Sequence, residues 1–146
     1  MTGLTQWIHI TPDGFTDDPW QHLLRVEADD ISPDTDLSES MLCLNGTSWI
    51  ESLWPCLDHL RAVSITFPSF QDGRGFSLAR KLRGLGYQGG LRAEGEIHVD
   101  QFRHALLAGF DAVAIPADLA ARMPEHEWIE AAAHALPSYQ QRFLYG

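Results

Sequence analysis

Long apolar runs are missing: no stretch approaches the roughly 20 consecutive apolar residues that a membrane-crossing helix needs. The first ten residues hold neither Lys nor Arg, so no secretory signal is expected. Cysteine is scarce, with only Cys43 and Cys56 in 146 residues. Two thiols cannot frame a disulfide scaffold, and no Cys-x-x-Cys pair offers dithiol exchange or cluster ligation. Both read as buried, reduced side chains of a cytoplasmic protein. Nucleotide and nucleophile fingerprints are absent too: no Gly-x-Gly-x-x-Gly follows a strand, and neither Gly-x-x-x-x-Gly-Lys-Ser/Thr nor Gly-x-Ser-x-Gly occurs. A redox role would need a cofactor that the sequence does not announce, so the cofactor is left open.

Basic residues are in deficit, with 10 Lys and Arg against 20 Asp and Glu, a formal charge of -10. Such a field repels phosphate backbones and anionic lipid, which argues against nucleic acid and membrane partners. The acids crowd the first forty residues, at Asp17, Asp18, Glu27, Asp29, Asp30, Asp34, Asp36 and Glu39. Between positions 74 and 103 the balance reverses with Arg74, Arg80, Lys81, Arg83, Arg92 and Arg103. A small anionic ligand is therefore compatible with the acidic whole.

What is present suits one domain with one core over residues 1–146. Residues 6–10 form a short apolar run ended by Thr11-Pro12-Asp13-Gly14, and the run at 20–26 is the expected hairpin partner, so 1–28 reads as an N-terminal β-hairpin. Residues 29–40 read as a polar surface linker, 41–136 as a βα core and 137–146 as a tail. Apolar runs at 41–44, 62–67, 91–97 and 112–115 predict strands. Helical spacing follows each: from the capping-box spacing Ser48…Glu51 to about position 60 with a break at Pro55, then Phe76…Leu85 stopped by Gly86, then 99–108 stopped by Gly109. Two further helices are expected at 118–123 and 125–136. The fold class is thus α/β: about four consecutive βα units on a parallel sheet, either half of a (β/α) barrel or a small open sheet. The exposed sheet edges call for cover by the hairpin or for pairing of two chains, a reason to expect a homodimer.

Loops at the carboxyl ends of parallel strands gather ligands, which points to residues 45–46, 69–75, 94–101 and 116–118. Asp72-Gly73-Arg74-Gly75 precedes a helix whose first N–H groups attract anions, and Arg74 would add a bidentate grip. The plainer alternative is a turn in which Asp72 caps the helix and Arg74 joins an ion pair. Along the next unit Arg92, Glu94, Glu96, His98 and Asp100 alternate, ahead of Gln101. Were the strand to persist, Glu96, His98 and Asp100 would share one face as a mixed metal site, but Gly95 interrupts it and no second His or Cys completes the set; no metal is expected. More simply, Glu94 or Glu96 neutralises Arg92 or Arg74 beneath the rim. Of the 7 histidines only His98 falls on this rim. Asp72, Glu94 and His98 are the acid–base candidates, with no nucleophile beside them. Gly73, Arg74, Gly75, Arg92, Asp100 and Gln101 join Asp72 as ligand-binding candidates.

The run Phe67-Pro-Ser-Phe-Gln-Asp-Gly-Arg-Gly-Phe-Ser-Leu-Ala-Arg-Lys-Leu-Arg83, then Gly86-Tyr-Gln-Gly89, Leu91-Arg-Ala-Glu-Gly-Glu96 and Asp100-Gln101, resembles a bacterial family of unknown function whose members are often labelled oxidoreductases of sulfite reduction. The resemblance spans about residues 41–116. It implies recurrence of Phe67, Pro68, Asp72, Gly73, Arg74, Ser77, Arg80, Arg83, Gly86, Arg92, Gly95, Asp100, Gln101, Gly109 and Phe110. It also implies genes neighbouring that of the sirohaem sulfite reductase, and hence a link to sulfite and sulfate assimilation with sulfite reductase as a partner. No reaction comes with it. Glu96 stands where the family suggests Asp, His98-Val99 where it suggests Leu-Arg, and Ala108 where many relatives carry Cys, which removes the clearest redox candidate. Two functions follow as expectations: an accessory or small-anion-binding protein, or an enzyme acting on a phosphorylated or sulfated small molecule. A third reading makes the arginines and acids a buried structural network.

Overall fold

The computed structural model describes residues 6–31, 37–46, 48, 50–69, 73–133 and 135. Its strands are β1 (Trp7–Thr11), β2 (Gly14–Thr16), β3 (Leu24–Glu27), β4 (Ser40–Asn45), β5 (Ala62–Phe67), β6 (Gly90–Gly95) and β7 (Ala112–Pro116). The helices are α1 (Arg74–Gly84), α2 (Phe102–Ala108), α3 (Ala117–Ala120) and α4 (Glu125–Ala133). One open sheet of seven strands runs β2-β1-β7-β6-β5-β4-β3. Neighbours from β3 to β7 are parallel, and β1 is antiparallel to both β7 and β2.

From β3 to β7 the order never reverses, so right-handed crossovers deliver every connection to the same face. The packing agrees. Val63, Ile65, Phe67, Leu91, Ala93, Val113 and Ile115 merge with Phe76, Ala79 and Leu82 of α1, Phe102, Ala105 and Leu106 of α2 and Trp128 of α4 in one core. The alternate residues point the other way, where Met41, Cys43 and Ala62 meet Leu23 in a small separate cluster. Winding in one sense is the habit of a barrel, yet this sheet stays open, which settles the two architectures left by the sequence.

Helix ends explain how the units stop. After α1, Gly86 takes φ +101°, Gly86 N–H donates to Arg83 O and Tyr87 N–H to Leu82 O. After α2, Gly109 takes φ +113° with the same pair of bonds, Gly109 to Leu106 and Phe110 to Ala105. Both are left-handed caps that bury the next aromatic residue, Tyr87 or Phe110. Arg83 ties the two caps together: Nε donates to Gly109 O at 2.9 Å, Nη1 to Tyr87 O and Gly89 O, and Nη2 to Asp111 Oδ2 at 3.0 Å. Asp111 Oδ2 also accepts from Leu91 N–H at the start of β6.

Three expectations need correction. The N-terminal antiparallel pair exists, but Pro12-Asp13 closes it at once, pairing Thr11 with Gly14. The run at 20–26 is therefore not its partner: β3 lies at the far edge, parallel to β4. The helix after β4 is a 3-10 segment, Glu51–His59, capped by Ile50. Ser48 Oγ turns back to accept from Asn45 N–H at 2.9 Å, and Pro55, lacking an N–H, breaks the α pattern. Lastly, β6 stops at Gly95, whose φ of +138° leaves the extended region and ends the alternation before Glu96.

Glycine replacements test these assignments. At Gly95 a Cβ would run into the Phe67 carbonyl oxygen, whereas at Gly86 it meets nothing within 4 Å. Gly86→Ala should lower the unfolding free energy by about 1 kcal/mol, from the positive φ alone, and Gly95→Ala by about 3 kcal/mol or more. Urea denaturation of the two variants gives the comparison; equal losses would contradict the packing at Gly95.

Candidate functional site

At the carboxyl end of β5 the Phe67 ring packs against Gly75, with no space for a side chain there, and stacks on Phe76 at 5.0 Å. The loop after β4 closes in as well, since a Cβ on Gly46 would lie 2.7 Å from Arg74 Cβ. These two glycines press the start of α1 onto the sheet. Gly73 and Arg74 are exposed, and a Cβ on Gly73 would meet nothing within 4 Å. The first turn of α1 has no acid, and its eleven residues include Arg74, Arg80, Lys81 and Arg83 without one Asp or Glu. At this end Arg74 alone adds its charge to the positive dipole, since Lys81 and Arg83 belong to the last turn of α1. Asp72 lies outside the described residues.

After β6, His98, Asp100 and Gln101 form a capping box. His98 Nδ1 accepts from Asp100 N–H at 3.2 Å, and Gln101 Oε1 accepts from His98 N–H at 3.1 Å, opening a 3-10 turn, Val99–Gln101, that runs into α2. His98 Nδ1 also lies 3.4 Å from Asp100 Oδ2. Among the described residues no three His, Cys, Asp or Glu side chains converge as metal ligands.

Arg92 and Glu94 stand elsewhere. Alternation along β6 puts both on the helix-free face, away from Arg74. The segment between β2 and β3 crosses this face from one sheet edge to the other and carries Asp18, Trp20 and Leu23 onto it. Arg92 is 2% exposed. Its Nη1 donates to Asp18 Oδ1 at 2.6 Å and to His9 Nδ1 at 3.3 Å, and its Nη2 to Glu94 Oε2 at 2.9 Å. The Trp20 ring lies 4.7 Å from the guanidinium and sits against Gly90, where a Cβ would meet it at 2.6 Å. Glu94 also accepts from Arg25 at 2.7 and 3.3 Å and from Ser64 Oγ at 3.1 Å. In this order β3 and β6 stand three strand spacings apart, about 14 Å, so the contact takes two long side chains reaching across β4 and β5.

Electrostatics follow from that enclosure. Burial alone would raise the Glu94 pKa, but the Arg25 hydrogen bonds, the Arg25 and Arg92 charges and Ser64 outweigh it and hold the carboxyl below its usual range. Glu94 is therefore a fixed anion and a poor base. Burial, and then the Arg92 charge, lower His9 to about 4, so it stays neutral and accepts from Arg92. Burial pushes the Cys43 thiol up, which suits an inert side chain.

Sequence reasoning offered Glu94 or Glu96 against Arg92 or Arg74, of which Glu94–Arg92 forms, and it missed Asp18, His9 and Arg25, which come from distant strands and loops. It missed also a cleft of about 420 Å3 at the opposite end of the sheet, lined by His9, Asp13, Trp20, Gly89, Gly90 and Asp111. That end holds the starts of β6 and β7, where the strand-rim rule does not look.

Among known families, the model for "Bacterial protein of unknown function (DUF934)" matches residues 41–143. No curated protein matches the chain. The matched segment contains Arg74, Glu94 and Arg92, while His9, Asp18, Trp20 and Arg25 precede it.

Two measurements test the buried network. Arg92→Ala strands Asp18 and Glu94 and should destabilise by about 3 to 5 kcal/mol, whereas Arg25→Ala, at a half-exposed partner, should cost about 1 kcal/mol. The depressed His9 pKa means that the unfolded chain binds more protons between pH 6.5 and 4. Its contribution is complete above pH 6.5 and drains as pH falls. Between pH 7 and 5 the unfolding free energy should drop by about 2 kcal/mol, and His9→Gln should flatten that slope. Glu94 adds loss of the same sign at lower pH, below the unfolded carboxylate pKa.

Proposed function

The chain belongs to this bacterial family of unknown function, and from that premise we propose that it is an accessory protein binding a small anion at the start of α1. The supporting observation is the coincidence there of an exposed Arg74, an open Gly73 and a helix N-terminus whose first turn holds no acid. In this reading Arg74 grips the oxygens while the first N–H groups of α1 face the anion. The motif resemblance described above supports a setting in sulfite and sulfate assimilation, in the cytoplasm, with sulfite reductase as the partner. Among the described residues no helix is long and apolar enough to cross a membrane. Pairing of two chains along a sheet edge belongs to the same proposal, since β2 and β3 flank the sheet.

The rival is an enzyme acting on a phosphorylated or sulfated small molecule at the same rim. Glu94 is held by Arg25, Arg92 and Ser64 on the other face, so the base would have to be Asp72 or His98.

Titration calorimetry with sulfite, sulfate, phosphate and adenylyl sulfate should show binding of at least one, weakened about tenfold in Arg74→Ala by loss of a charge-assisted contact. No binding of any of them removes the anion reading. A deletion strain should grow poorly with sulfate as sole sulfur source; unimpaired growth severs the link to sulfur.

A further inference from the structure

Side by side on the helix-bearing face, α1 and α2 turn outward a surface whose charge opposes that of the whole. Arg74, Ser77, Arg80, Lys81 and Gly84 are the exposed positions along α1. On α2 the exposed positions include His104 and Leu107, and this helix too lacks Asp and Glu. Arg80 Nη2 donates to His104 Nε2 at 2.9 Å, because a guanidinium has no acceptor, and the His104 ring packs on Phe76 at 4.5 Å. The Arg80 head is thereby fixed over the seam between the helices. Leu107 is 46% exposed and lies one turn beyond His104 on the same side of α2. Past α2 the balance turns to acid, where Asp100, Glu127 and Glu130 share a cleft with the single cation Arg103.

From this arrangement we propose that the α1–α2 face is a docking surface for a compact acidic surface of another protein, with Leu107 taking an apolar side chain. The chemistry selects the partner by size as well as by sign. Eleven helical residues span about 16 Å, too long for the cations to converge on one small anion. A nucleic-acid strand carries a charge about every 3.4 Å, and a duplex one about every 1.7 Å, over a length that would overrun the strip into the surrounding acids, which argues against nucleic acid. A compact acidic patch stops where the strip stops, and the opposed charges orient its approach. The proposal goes beyond the anion site and stands without it.

The test uses three fluorescein-labelled probes: a helical peptide with Glu flanking a central Leu, the same peptide with Gln for Glu, and a single-stranded oligonucleotide of equal charge. Anisotropy should show wild-type protein binding the acidic peptide in preference to the other two, with affinity falling as salt rises. Ser77→Glu/Lys81→Glu should weaken that binding about tenfold, and Leu107→Ser about threefold. Circular dichroism confirms that these surface variants are folded. Lys81→Glu alone lies about 10 Å along α1 from Arg74, so sulfite calorimetry on that single variant, set beside its peptide binding, separates failure of this proposal from failure of the anion site. No binding of the acidic peptide at low salt, unchanged binding in the charge-reversed variant, or tighter binding of the oligonucleotide overturns the docking surface.

Discussion

Strands β3 to β7 are laid down in one direction by right-handed crossovers, and that single sense of winding gives one face of the sheet every helix and the other none. The bare face still carries Ser64, Arg92, Ala112 and Ala114, all nearly inaccessible to solvent. Cover comes from the segment that leaves β2 at one edge and must reach β3 at the other. It is too thin to bring a second apolar layer, and the interactions beneath it are mostly polar. Arg92 meets Asp18 and Glu94, Glu94 meets Arg25, and Trp20 lies on Gly90 between them. Buried pairs of this kind add little net stability over an apolar filling, but they are unforgiving of misplacement. Here they fix the register of the crossing segment, since a shift of one residue would take Asp18 from Arg92 and Trp20 from Gly90, where a side chain would block it.

Much of the fold was legible because its signals are local. The β-branched run at 62–67 became β5 at those limits, and Gly86 and Gly109 mark helix stops through the positive φ that they adopt. Non-local facts were not legible. Nothing near residue 24 says that β3 pairs with β4 rather than with β1, and nothing near Arg83 points to Asp111 or Gly109. The 3-10 character of Glu51–His59 hides behind capping-box spacing whose serine has a closer backbone partner. Alternation correctly put Arg92 and Glu94 on one side of β6. Which side lacked helices depended on strand order, so the two were read as rim residues when they belong to the interior of the bare face.

The two ends of the sheet divide the labour. At the carboxyl end, Gly46, Gly75 and Phe67 hold the cationic start of α1 against the strands, and the His98 capping box sets the start of the next helix. At the other end Arg83 gathers both helix stops and Asp111 into a rigid clamp. Arg80 and Arg83, three residues apart in α1, thus have opposite roles. One is locked into the scaffold and the other is held at the surface by a histidine of α2.

The pairing of β1 with β7 has a consequence for how the protein is made. Ile10 pairs with Val113, so β1 and β2 leave the ribosome about a hundred residues before the sheet edge that they join. Contacts this distant in sequence form slowly, and the hairpin and the crossing segment must wait as unpaired chain. The acids concentrated there, from Asp17 to Glu39, keep that waiting stretch charged and so discourage it from sticking to neighbouring nascent chains.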